Sequence, residues 1–183
     1  MTDPAAELPE RDLGREPGRV RRQARRRGAL AAAVVVLGVV VARTQLIDLL
    51  TVSSDSMSPT LCVGDTVVLT RLPAGSDINH DDIVTFRDPD SGAEAIKRVV
   101  GLAGEKVSIE DAQLTIDGRP IDEPWVDHRT IDGVYFGPVT VPAGAVFLMG
   151  DHREVSIDSR HFGAVAIGDL DGRLLTSVFG GCG

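Results

Sequence analysis

From residue 50 onward no stretch keeps a helical period over the ~11 residues that an amphipathic helix needs. The chain is instead cut into short runs rich in Val, Ile, Thr and Phe: 65–72 (DTVVLTRL), 82–88 (DIVTFRD), 95–102 (AIKRVVGL), 106–111 (KVSIED), 113–118 (QLTIDG), 134–141 (VYFGPVTV) and 145–150 (AVFLMG). Gly, Pro, Asp and Asn punctuate them, as turn residues do between half-buried strands. The pattern predicts a mostly β body built of antiparallel sheet. Twenty Gly and ten Pro suit many turns better than a helical bundle. Aromatic residues make up only 4%, so aliphatic side chains must build the core.

The other end of the chain has a different grammar. Residues 1–27 are polar, carry Pro4, Pro9 and Pro17, and offer no apolar face. They read as a disordered basic tail. Arg19, Arg21, Arg22, Arg25, Arg26 and Arg27 form a dense cluster, followed directly by residues 28–42, which hold no charge. As a helix those fifteen positions reach ~22 Å at ~1.5 Å per residue, short of a ~30 Å hydrocarbon core. Extension to Leu50 is long enough to span, with Arg43 snorkelling to the interface. The expectation is one N-terminal transmembrane helix over 28–50. A cleaved signal peptide ending near Val40-Val41-Ala42 is the competing reading, and a buried core helix, disfavoured by the arginine flank, is the third. The positive-inside rule puts the Arg cluster in the cytoplasm and residues 51–183 on the extracytoplasmic side of the plasma membrane.

Charge narrows the function classes. Residues 1–43 carry nine Arg against five acids, whereas 44–183 carry ten Lys or Arg against twenty-two acids. An acidic body argues against nucleic acid as a partner, which would demand a basic face. A lipid bilayer is the partner that the basic, apolar end predicts. Lysine is scarce: only Lys97 and Lys106 are present against seventeen Arg. A reaction that needs a lysine therefore has two candidates.

Three segments carry chemistry. Ser53-Ser54-Asp55-Ser56-Met57-Ser58-Pro59-Thr60-Leu61 gathers small hydroxyl side chains, which by themselves suit a polar linker. It contains neither GxSxG nor SxxK. Lys97 lies in the apolar run 95–102, where it and Arg98 must face opposite sides of a strand. Burial of a lysine lowers its pKa and makes it a general base near neutral pH. The alternative is that Lys97 decorates a solvent face while Arg98 pairs with an acid. The third segment, 149–163 (MGDHREVSIDSRHFG), is a polar loop in which Asp158 and Arg160 can pair. Asp151, His152, Asp158 and His161 match no standard metal spacing, so no metal is expected, and neither a P-loop nor a GxGxxG points to an organic cofactor.

Taken together, these segments resemble type I signal peptidases, the membrane-bound leader peptidases that use a serine–lysine dyad. The similarity runs over about residues 50–165. It is carried by Ser56-Met57-x-Pro-Thr-Leu61, Gly64-Asp65 followed by Val67-Val68, and Lys97-Arg98-Val99-Val100-Gly101-Leu102-x-Gly104-Glu105-Lys106-Val107. Asp117-Gly118-Arg119-Pro120, Glu123-Pro124-Trp125, Val141-Pro142-Ala143-Gly144 and Gly150-Asp151-x-Arg153-x-x-Ser156-x-Asp158-Ser159-Arg160 complete the series. His152 and Val155 stand where many members have Asn, Glu154 where Asp is common, and Asp55 where Gly is frequent. The insert at about 108–140 is short, as in compact members with a small cap.

The resemblance implies acyl transfer by Ser56 as nucleophile and neutral Lys97 as general base. It implies Ser54 and the Ser56 backbone N–H as the oxyanion hole, and Ser156 as the residue orienting Lys97. Asp158 with Arg160, and Asp151, would support the site, while Val52, Met57 and Ile96 would line small apolar pockets. The substrates implied are preprotein signal peptides cut after Ala-x-Ala. A Ser-Lys peptidase dedicated to a pilin or conjugation protein would carry the same boxes, and an inactive anchored homologue is a third reading. Cys62 and Cys182 both fall on the predicted outer side, where a disulfide is permitted.

Overall fold

The computed structural model describes residues 27–36, 38, 46–73, 75–127 and 135–179. The chain divides into two units, residues 1–44 and 45–183. In the first, residues 27–36 and 38 are helical and exposed. Among the described residues no helix is long and apolar enough to cross a membrane. The expected basic tail, apart from the helical Arg27, lies outside the described residues. So do positions 37 and 39–45 of the expected anchor, and Cys182.

The expected anchor is corrected at its C-terminal end. Ile47–Thr51 form strand β1, not the last turn of a helix. Ile47 sits opposite Thr70 and Thr51 opposite Thr66 of β2 (Thr66–Arg71), antiparallel throughout. A short apolar run does not by itself separate helix from strand. Here β2 satisfies the backbone of 47–51, and Leu50 packs on the core of the body.

The remaining strands are β3 (Ile83–Arg87), β4 (Glu94–Gly101), β5 (Lys106–Glu110), β6 (Gln113–Ile116), β7 (Arg119–Pro120), β8 (Phe136–Thr140), β9 (Ala145–Met149), β10 (Val165–Ala166) and β11 (Leu170–Phe179). They form a seven-stranded sheet, ordered β1-β2-β11-β3-β4-β9-β10, and a four-stranded sheet, ordered β7-β6-β5-β8. Every recorded pairing is antiparallel. All seven expected runs contain a strand. Four strands fall outside them: β1, β7, β10 and β11.

The longest of these, β11, begins Leu-Asp-Gly-Arg, which breaks apolar alternation. Its strand state comes from insertion between β2 and β3, which gives it ladder partners on both sides. Gly172 makes this fit: a Cβ there would lie 3.1 Å from Thr85 Oγ1 and 3.2 Å from the Thr70 carbonyl.

The expected insert forms the small sheet, β5 to β8. It is not a detached cap, because Val107, Ile109, Leu114 and Ile116 share one buried cluster with Val100, Phe147 and Met149 of the large sheet. Gly101, at the end of β4, sits where the two sheets meet. A Cβ on it would lie 2.5 Å from Val107 Cγ2, 3.2 Å from Phe147 Cβ and 3.3 Å from Val141 Cγ2. Packed interiors resist added carbon. Gly101→Ala should therefore lose about 1–3 kcal/mol of stability by overpacking, read as a lower urea midpoint. An unchanged midpoint would show that the sheets can part without cost.

Candidate active site

Three stretches of the body converge: the loop between β1 and β2, strand β4, and the loop after β9. The first is closed on itself. Val52 N donates to the Asp65 carbonyl at 2.8 Å and Gly64 N to the Val52 carbonyl at 2.8 Å. The buried Asp65 carboxylate caps Cys62 N at 2.9 Å. Gly64 supplies the positive φ of 94° that this closure needs. Within the loop Met57 and Leu61 turn into a core with Val52, Val67, Leu69, Ile83 and Ile96. Ser56 is left at the edge of that apolar bed, 7% exposed.

Strand β4 brings Lys97 to it. Lys97 Nζ lies 2.7 Å from Ser56 Oγ and donates to its neighbour's carbonyl, Ile96 O, at 3.1 Å. Lys97 is 5% exposed and Arg98 6%, so both faces of β4 are covered here. Burial pushes the Lys97 amine below the ordinary lysine range. Asp158, Asp88 and Asp151 pull it upward, and burial prevails.

Strand β9 is buried along its whole length and delivers the third stretch. Gly150 N donates to Asp158 at 3.1 Å, and His152 N donates to the Ser56 carbonyl at 3.0 Å. A Cβ on Gly150 would lie 2.3 Å from Ser156 Oγ and 2.4 Å from the Ser56 carbonyl oxygen. Only glycine allows this loop to touch the backbone of Ser56. Asp158 caps the one-turn helix Ser159–Phe162 through Arg160 N and takes two side-chain bonds from Arg160, each 2.8 Å. Burial works to raise the Asp158 pKa, but the Arg160 guanidinium and the Gly150 N–H outweigh it and hold the carboxyl below its ordinary value.

The structure brings most of the expected site residues together. Ser54 is exposed, its Oγ 3.3 Å from Ser56 Oγ. Asp151 is buried against Arg98, with bonds of 2.8 and 2.7 Å, and also accepts from Thr60 Oγ1. Ser156 is buried, but its Oγ meets no hydrogen-bond partner. Lys97 Nζ meets Ser56 Oγ and its neighbour's carbonyl. Val52, Met57 and Ile96 are closed core residues, 3%, 0% and 6% exposed, and form packed wall beneath Ser56 instead of an open pocket.

Of the unusual positions, His152 and Asp55 face each other, Nδ1 to Oδ2 at 3.7 Å. Residues that the motifs left without a role also enter: Arg98, Thr60, Glu123, Trp125 and Arg153. A charged residue within an apolar run, such as Arg98, was the one available signal. Among the described residues no group of three or more His, Cys, Asp or Glu is placed to hold a metal ion.

Comparison with known proteins matches residues 25–179 to the family described as signal peptidase, peptidase S26. Signal peptidase I V of Bacillus subtilis (strain 168) is 35% identical over 144 residues, 72% of this chain and 84% of that protein. Signal peptidase I of Bacillus caldolyticus is 32% identical over 136 residues, 67% of this chain and 74% of that protein. A crystal structure of a signal peptidase I from Enterococcus faecalis V583 is 32% identical and covers 55% of this chain and 98% of that one, at a TM-score of 0.47.

The buried amine has a consequence for stability. With its pKa lowered on folding, Lys97 binds more protons unfolded than folded, so its unfavourable contribution is full at low pH and fades as pH rises towards the unfolded lysine value of ~10.4. Lys97→Met keeps the aliphatic stem and removes that contribution. Its melting temperature relative to the parent should be highest at low pH and fall as pH is raised towards ~10.4. Melts followed by circular dichroism at several pH values test this. A difference independent of pH would mean that folding leaves the lysine pKa unchanged.

Proposed function

The chain belongs to the signal peptidase family, peptidase S26, and from that premise we propose that it is a serine endopeptidase removing N-terminal signal peptides from exported preproteins. The observation that carries the proposal is the buried pair, Lys97 Nζ at 2.7 Å from Ser56 Oγ with the amine's pKa lowered. An ordinary lysine, with a pKa of ~10.4, is almost wholly protonated at pH 7 and cannot accept a proton. A buried one can.

Neutral Lys97 takes the Ser56 hydroxyl proton as Oγ attacks the carbonyl carbon of the scissile bond. The resulting oxyanion receives the Ser54 hydroxyl and the Ser56 backbone N–H. Collapse breaks the C–N bond, and the proton held by Lys97 passes to the departing amine of the mature protein. The signal peptide is left as an ester on Ser56. Lys97 then deprotonates a water, which hydrolyses that ester and restores both residues. Asp158 with Arg160, and Asp151 with Arg98, support the site from outside the reacting atoms.

The substrate binds extended, adding a strand to an exposed edge. Close packing of Val52, Met57 and Ile96 around Ser56 leaves little depth for side chains, which supports cleavage after small residues, as in Ala-x-Ala. A membrane anchor fits the same reading. With β1 beginning at Ile47, residues 28–45 remain for it, ~27 Å as a helix against a ~30 Å core. The Arg cluster then stays in the cytoplasm and the body works outside the plasma membrane.

The activity is tested by cleavage of signal-peptide precursors across a pH series. The parent should gain activity with pH along a limb set by Lys97, below the ordinary lysine range. Ser56→Ala should be inactive. Lys97→Arg should be inactive too, because guanidinium keeps its proton, whereas Lys106→Arg, on the exposed start of β5, should match the parent. Replacement of Ala before the cut bond by Phe should abolish cleavage. Substantial activity in folded Lys97→Arg would eliminate Lys97 as the base.

Topology has its own test. External protease added to spheroplasts should digest the 46–183 body. Protection of the body, or its release as a shortened soluble form, would overturn the anchor.

A further inference from the structure

None of the proposed chemical steps uses the small sheet, yet two buried cations of the large-sheet body take partners from one short segment of it. That segment, 121–126, follows β7. It is tied to its own sheet by Ile121 N donating to the Leu114 carbonyl at 2.9 Å and by Gln113 donating to the Ile121 carbonyl. Trp125 packs beside the buried Ala112 and Val126.

From this base the segment reaches out twice. Glu123, 2% exposed, forms an ion pair with Arg153, 4% exposed. Trp125 places its ring under Arg98, with the guanidinium carbon 4.1 Å from the ring centroid. Both cations hold the loop that presses on Ser56. Arg153 Nε donates to the Gly150 carbonyl at 3.0 Å, and Arg98 grips Asp151 with two bonds of 2.8 and 2.7 Å. The next residue, His152, donates its N–H to the Ser56 carbonyl at 3.0 Å.

We infer that Glu123 and Trp125 are positioning residues: through Arg153 and Arg98 the insert straps the loop 150–153 against Ser56, and so sets the attack geometry without touching substrate. Little slack exists in this chain of contacts, because the space between Gly150 and the Ser56 carbonyl is too small for even a Cβ. Removal of Glu123 leaves a buried guanidinium uncompensated. Arg153 then turns towards water and takes the Gly150 carbonyl bond with it. A displacement of about 1 Å at a nucleophile costs on the order of 100-fold in rate. The inference rests on the Ser56–Lys97 reading above.

The test uses the full chain in detergent micelles with p-nitrophenyl acetate as a small acylating probe. Ser56 Oγ forms the acetyl ester as the bond to p-nitrophenolate breaks, and the released phenolate is followed by absorbance and the Ser56 adduct by mass. Such a probe is too small to need substrate pockets, so it reads attack geometry alone. Glu123→Ala should lower the maximal acylation rate by about 10- to 100-fold while the half-saturating concentration stays within about twofold. Arg153→Ala should do the same, and the double variant should be no slower than the slower single one. Glu123→Gln keeps an acceptor for Arg153 and should stay within about threefold of the parent.

Trp125→Leu should be slowed and Trp125→Phe, which keeps a ring face for Arg98, should not. This second pair carries the test should Glu123→Ala fail to fold. Acylation of Ser56 at the parent rate in folded Glu123→Ala, or in both Trp125 variants, would overturn the inference while leaving the Ser–Lys reading intact. Failure of the parent to acylate Ser56 faster than Lys97→Arg would overturn that reading and the strap with it.

Discussion

A buried lysine amine held 2.7 Å from a serine hydroxyl inside an aliphatic bed is the constraint to which the surrounding polar groups answer. Burial lowers the Lys97 pKa, but Asp158 and Asp151 lie close enough to raise it. Each of those carboxylates is matched by its own guanidinium, Arg160 for Asp158 and Arg98 for Asp151. The acids can therefore shape the loop through charged hydrogen bonds while much of their field at Lys97 is cancelled. A buried acid without its arginine would raise the lysine pKa and oppose the effect of burial.

The fold supplies the rigidity this arrangement requires. Strand β4 lies between β3 and β9, and from Ile96 to Gly101 it is buried on both faces. Lys97 and Arg98 thus leave adjacent positions of one strand for opposite duties, one towards the nucleophile and one towards the loop behind it. Strand β9, equally buried, ends at Gly150, so the loop starts from a fixed point. Buried ion pairs such as Arg98–Asp151 and Arg153–Glu123 add little net stability over apolar packing, though removal of one partner costs about 3–5 kcal/mol. Their use here is consistent with geometric specification and not with strength.

Sequence motifs picked out residues that the fold brings together because those residues recur as short local strings. Ser56 with its Pro-Thr-Leu tail, Lys97 within an apolar run, and Asp158 two residues from Arg160 are each legible in a few letters. For Ser156 a motif gives a position in the chain and not the direction of a hydroxyl. Its oxygen faces Gly150 and Asp158, while Lys97 finds its second acceptor in the carbonyl of its neighbour, Ile96. Val52, Met57 and Ile96 share one apolar cluster beside Ser56. Whether such residues line a pocket or close a core depends on side chains from β2 and β3 that no local pattern contains.

The β class was fixed by the chain itself. Branched residues in runs of five to eight, cut by Gly, Pro and Asp, can satisfy their backbones only by pairing, and all seven such runs hold strands. The resemblance to type I signal peptidases singled out Ser56 and Lys97, which local pattern alone left open to a polar linker and a solvent-facing lysine. Partners distant in sequence decided the rest. β1 is a strand because β2 lies beside it, and β11 because β2 and β3 leave a gap that a ten-residue segment fills, with Gly172 sparing Thr85 and Thr70 a clash. Glu123 and Trp125 read as turn-flanking residues until folding sets them against Arg153 and Arg98. Burial, charge pairing and close approach are properties of neighbours in space, and a linear string records only neighbours in sequence.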